Sequence, residues 1–175
     1  MMRKVSALAA LGCALACLSA CGVSVGPHHT LSGPSVAQQV SSQLVKLYKM
    51  EAPPAVSCPD GVPSSKGTTF VCTTVIDNQH VDLDGTVTGS NGQFQVVPRD
   101  AIIPIPVLVA YLTSSIKQNA RVKEVTVDCG DRQFVVVPVG GTITCTATFP
   151  RLPAPRTVTT TVVDKEGRVK YALSA

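Results

Sequence analysis

The 175-residue chain has no tryptophan, four phenylalanines and three tyrosines. A stacking platform for sugars or bases needs more aromatic surface than that. Charge is also sparse, at 15% of residues. Removing Arg3 and Lys4 from 15 basic and 11 acidic side chains leaves 13 against 11, too near neutral to argue for nucleic acid. Histidine occurs only as His28, His29 and His80. No G-x-S-x-G elbow, H-E-x-x-H helix or phosphate-cradling glycine loop is present, so no catalytic constellation is expected. No pair among Cys58, Cys72, Cys129 and Cys145 has the short C-x2–4-C spacing that structural zinc prefers, and no cofactor is expected. Asp82 and Asp84 alternate on one strand face ahead of Gly85. As a calcium loop begun at His80, the first ligand is wrong and position twelve is Asn91 instead of Glu, so a solvated strand face is expected.

No apolar run reaches the roughly 20 residues of a comfortable membrane span. The run that does exist is Val5 to Leu18, 14 residues behind Met1-Met2-Arg3-Lys4, the layout of a secretion signal. It closes on Leu18-Ser19-Ala20-Cys21, which resembles the lipobox of bacterial lipoproteins. The resemblance implies cleavage before Cys21 and a diacylglyceryl thioether on its sulfur. The expected address is the cell membrane, lipid-anchored on its extracytoplasmic face, and the membrane is then the first partner. Cys13 and Cys17 lie within the apolar run and read as small hydrophobes lost with it.

Loss of residues 1–20 and lipidation of Cys21 leave Cys58, Cys72, Cys129 and Cys145. An even number in an exported chain reads as disulfides, and four cysteines allow three pairings. An internal repeat bears on the choice. Val36, Val40 and Leu44 recur 72 residues later as Leu108, Leu112 and Ile116, each set forming one apolar helical stripe. Val56-Ser57-Cys58-Pro59 is followed by Gly67 to Thr73 around Cys72. Val127-Asp128-Cys129-Gly130 is followed by Gly140 to Thr146 around Cys145. Val/Thr-rich strands close each unit, split by Ser90-Asn91-Gly92 and by Lys165-Glu166-Gly167. Duplication favours Cys58 with Cys72 and Cys129 with Cys145; cross-pairing requires intertwined halves.

The expected fold is α+β: two tandem repeats, each one helix on a small antiparallel sheet with one internal disulfide. The division is a signal at 1–20, a polar tether at 21–34, a first repeat at 35–98, a proline-rich linker at 99–106 and a second repeat at 107–175. Helices are expected at 35–49 and 106–119. Strands are expected near 54–58, 68–76, 80–88 and 92–97, then near 122–129, 132–138, 142–149, 156–164 and 167–173. Pro98, Pro104 and Pro106 are expected to break the chain between the repeats.

The lipobox, the helix, Val56-x-Cys58-Pro59, the Gly67-Thr68-x-Phe70-x-Cys72-Thr73 strand and the Val/Thr hairpin resemble domain-of-unknown-function family 4333. The resemblance implies an actinobacterial lipoprotein or membrane-anchored protein with bonded cysteines, and carries no activity. The second unit departs from the motif at Gly130 and Ile143, where Pro and Phe are expected. Beta-lactamase inhibitory protein is similar in plan alone, with two helix-plus-sheet units and internal cysteine pairs.

These features favour a non-enzymatic binding or scaffold lipoprotein, whose partner is an envelope protein, a lipid or a cell-wall polymer. Two alternatives stand beside it: an inhibitor or adaptor of an exported enzyme, and a hydrolase using His80. The charge is uneven, with −2 over residues 21–103 and +4 over 104–175. Arg151, Arg156, Arg168 and Lys170 offer a basic face in the second unit.

Overall fold

The computed structural model describes residues 30–89 and 91–174. Along the chain run β1 (Thr30–Leu31), α1 (Gly33–Tyr48), β2 (Val56–Ser57), β3 (Val62–Pro63), β4 (Thr69–Ile76), β5 (Gln79–Val87) and β6 (Phe94–Pro98). Then come β7 (Ala101–Pro104), α2 (Ile105–Ala120), β8 (Thr126–Asp128), β9 (Phe134–Val137), β10 (Thr142–Thr148), β11 (Arg156–Val162) and β12 (Val169–Leu173). The two helices serve several antiparallel sheets: four-stranded β2-β4-β5-β6 and β8-β10-β11-β12, and two-stranded β1-β3 and β7-β9. The mixture is the expected helix-and-antiparallel-sheet class.

Each helix forms because one apolar stripe recurs every turn and a half-buried sheet receives it. Val36, Val40 and Leu44 are buried on α1, as are Leu108, Leu112 and Ile116 on α2. Proline occupies the first turn of both helices, where its missing N–H costs nothing. Both end in a left-handed residue, Lys49 (φ 53°) and Arg121 (φ 53°), whose N–H returns to the last turn. α1 begins two residues earlier than expected, and Thr30–Leu31, expected within the tether, pairs with Val62–Pro63 as β1.

Strict alternation places the strands. On β4, Phe70, Cys72, Thr74 and Ile76 point into the first core, and on β10 Ile143, Cys145 and Ala147 point into the second. β4 turns into β5 through Asp77-Asn78, both at positive φ (50° and 61°), the two-residue turn whose twist matches a hairpin.

One paired position differs between the two sheets in a way that packing explains. Phe70 stands opposite Gly85, and a Cβ on Gly85 would lie 2.4 Å from the Phe70 ring. Ile143 stands opposite Thr160. The smaller isoleucine leaves room for a side chain, but the buried Thr160 hydroxyl finds no hydrogen-bond partner among the described residues.

Residues 99–106, expected as a linker, instead carry strand β7, with Ala101, Ile102 and Ile103 almost fully buried. The prolines close strands without interrupting them: Pro98 ends β6 and Pro104 ends β7, which leaves three ladder residues between. β7 pairs with β9 from Ala101↔Val137 to Pro104↔Phe134. The two faces of this ribbon serve different cores, since successive strand residues point to opposite sides. Ile102, Phe134 and Val136 join the first core, and Ala101, Ile103, Val135 and Val137 join the second.

The outer edge of β9 is closed by side chains from the β4–β5 turn. The Asp77 carboxylate accepts the N–H groups of Gln133 (2.8 Å) and Phe134 (3.1 Å). The Gln79 amide donates to the Phe134 carbonyl (3.0 Å) and accepts the Val136 N–H (3.0 Å). A primary amide carries the same donor and acceptor as a peptide, so Gln79 acts as one further residue of strand.

Candidate functional site

The cysteines come first, because they fix the two sheets. Cys58 follows β2 and Cys72 lies on β4, where an adjacent antiparallel pair brings them to a Cα–Cα distance of 4.3 Å and a bond. Cys129 follows β8 and meets Cys145 on β10 at 4.2 Å. Both bonds are the ones expected from the order of the cysteine segments in the sequence. Cys72 and Cys145 are buried, so each sulfur also fills core space. Leu18, Ser19, Ala20, Cys21, His28 and His29 lie outside the described residues.

Outward-facing residues of the first sheet carry Val71, Thr73 and Val75 opposite Asp84, Asp82 and His80. His80 is exposed and, among the described residues, makes no side-chain hydrogen bond. Asp82 and Asp84 are not isolated. Arg99, one residue beyond β6, reaches across the sheet to both, with Nη2 2.7 Å from Asp84 Oδ1. The hydrogen bond from Arg99 holds the Asp84 carboxyl below the usual carboxylate range. Sequence reasoning missed Arg99, because its placement follows from the β5–β6 register, which sets Asp84 opposite Val97. Among the described residues, no three His, Cys, Asp or Glu side chains gather to hold a metal.

The second sheet presents a different face. Thr142, Thr144 and Thr146 of β10 stand opposite Thr161, Thr159 and Thr157 of β11. Branched hydroxyl side chains suit a pleated surface that is packed below and wet above. The result is an uncharged hydroxyl array beside Lys170, which pairs with Thr161. The basic residues of this half do not form one face. Lys170 shares the outward parity of Thr161, whereas Arg156 shares the inward parity of Val158. Arg168 is engaged with Asp164 in the β11–β12 turn, and a backbone hydrogen bond from Arg168 lowers the Asp164 carboxyl. Arg151 lies in the loop between β10 and β11.

Where α1 begins, an open groove of about 320 Å³ separates it from the β5–β6 turn. Leu31, Val36 and Phe94 supply its apolar wall, and Ser35, Gln39 and Asn91 its polar one. Ser32 makes no capping hydrogen bond, and the first turn of α1 has no acidic side chain. Gly33, the first helical residue, donates its N–H to Asp60 Oδ1 (2.9 Å) instead. No helix among the described residues is long and apolar enough to cross a membrane.

No curated protein and no solved structure matches the chain. Residues 12–92 match the family model described as a domain of unknown function, DUF4333, a span that takes in α1, the Cys58–Cys72 bond and strands β4 and β5.

Proposed function

We propose that this chain is a non-enzymatic lipoprotein of the extracytoplasmic face, held in the cell membrane by lipid on Cys21. The observation that carries the reading is the Leu18-Ser19-Ala20-Cys21 sequence standing ahead of a fold stapled by two disulfides. Disulfides persist in oxidising compartments, which is where a lipobox delivers its protein. The actinobacterial source expected from the family resemblance belongs to the same proposal. Two acyl chains on one cysteine supply the two signals that stable anchoring needs.

The body is read as two copies of one unit. The order strand, helix, four strands with a cysteine pair, and last strand runs from β1 to β6 and again from β7 to β12. Both helices have 16 residues and their starts are 72 positions apart. The units divide near residues 99–106. The second is no separate bead, because the β7–β9 ribbon packs on both cores. Such a body presents surface: an acidic, valine-bearing sheet face and a threonine face. Binding or scaffolding an envelope protein, lipid or polymer is the function this supports.

Membrane fractionation of the wild type against Cys21→Ala tests the anchor. The wild type is expected in the membrane, and the variant as released protein or uncleaved precursor. Membrane association of a normally cleaved Cys21→Ala variant would count against the proposal.

A second reading, inhibition of an exported enzyme, is favoured by the coupling of the two units through Asp77 and Gln79, which fixes two surfaces for one grip. A stoichiometric complex with an exported protease or beta-lactamase would support it, and a broad panel without inhibition would end it.

A further inference from the structure

We propose that Asn91 is a self-modification site, converted by attack of the Gly92 backbone nitrogen on its own side chain. The chain contains three asparagines, Asn78, Asn91 and Asn119. They differ in the one property that decides this reaction, namely how freely the next backbone nitrogen can reach the side-chain carbonyl carbon. Asn119 lies inside α2 and is followed by Ala120, so its neighbour's nitrogen is held by helical geometry. Asn78 sits in the tight β4–β5 turn, and the next residue, Gln79, is fastened by its side chain to β9. Asn91 is exposed in the β5–β6 turn, and the residue after it is glycine. Gly92 has no Cβ to obstruct the approach and adopts φ +78°, and among the described residues its N–H makes only a long bond to the Gly89 carbonyl (3.3 Å).

In the reaction the Gly92 nitrogen bonds to Cγ of Asn91, the Cγ–Nδ2 bond breaks, and ammonia leaves with the proton from the Gly92 amide. Water then opens the five-membered imide on either side. The products are an aspartyl residue and its isomer in which the main chain runs through the side-chain carbonyl. One water is consumed and one ammonia is released, with no redox change.

Both products place a carboxylate where a neutral amide stood. Asn91 borders the groove beside the first turn of α1, which has no acidic residue of its own and whose only side-chain acceptor among the described residues is Asp60, on the Gly33 N–H. Negative charge at that end of a helix is favourable. The modification therefore turns a neutral groove into an anionic one as the protein ages, without detaching any element of the fold.

The test is incubation of the full-length, disulfide-bonded protein at neutral and mildly alkaline pH, followed by peptide mapping and isoelectric focusing. The expected result is one added negative charge per chain, two separable products of the peptide containing Asn91, and equimolar ammonia. Asn91→Gln abolishes all three, because the longer side chain cannot close the five-membered ring. Gly92→Ala slows them; since that variant also strains a left-handed position near Leu31, Asn91→Gln is the decisive control. Persistence of the Asn91 amide in the folded protein, while the reduced and unfolded chain loses it, would overturn the proposal. Equal rates at Asn78 or Asn119 would overturn it as well.

Discussion

Replacing Gln79 by alanine removes two hydrogen bonds that tie the β4–β5 turn to the edge of β9. The Gln79 amide is half-buried, and its partners are the Phe134 carbonyl and the Val136 N–H, both at 3.0 Å. Each neutral bond contributes about 1 kcal/mol net, so Gln79→Ala should cost roughly 2 kcal/mol. Gln79→Glu should cost at least as much, because a carboxylate replaces the donor and faces the Phe134 carbonyl oxygen. The loss is local, which makes amide hydrogen exchange the better assay than melting alone. The Val136 amide should exchange roughly 30-fold faster in Gln79→Ala, the equivalent of about 2 kcal/mol. Amides deep in α1, such as that of Val40, should change far less. An unchanged Val136 amide, with unchanged midpoint in denaturant, would refute the view that this side chain completes the β9 edge.

Serine in place of both Cys58 and Cys72 should lower stability by about 3 kcal/mol, as expected for opening a loop of about 15 residues, and chemical denaturation measures it. Thr160→Val should stabilise by about 1 kcal/mol, because it removes a buried hydroxyl without a partner while keeping the shape. Gly85→Ala should destabilise strongly against the Phe70 ring, and Phe70→Ile in the same chain should recover part of the loss. Asp84 has a folded pKa below its unfolded value, so its contribution is present above the ordinary carboxylate pKa of about 3.9 and is lost as pH falls through the lower folded value. Arg99→Gln should therefore flatten the acid limb of a stability-against-pH curve at low salt and leave little difference at high salt, since the pair is exposed.

Much of the local structure was legible because it follows from period. The apolar stripes on α1 and α2 and the alternating residues of β4 and β10 each rest on a short-range rule. The cysteine pairing was legible for a different reason: the similar order of segments around the two cysteine pairs favoured one of three arrangements of four thiols. β7 was hidden because three prolines in nine residues read as a break, whereas Pro98 and Pro104 mark strand ends and Pro106 opens α2. The double use of that ribbon is a long-range fact, with the odd residues serving one core and the even residues the other. Arg99 and Gln79 were missed for the same reason. Each side chain acts on groups 15 or more residues away, and sequence spacing carries no mark of that contact.

The anchoring proposed above makes Cys21 the lipid-bearing first residue of the mature chain. Mass spectrometry of the N-terminal peptide from detergent-extracted protein tests it most directly. The expected peptide begins at Cys21 and carries a diacylglyceryl group on sulfur. A mature chain beginning elsewhere, or an unmodified Cys21 thiol on a freely soluble protein, would contradict it.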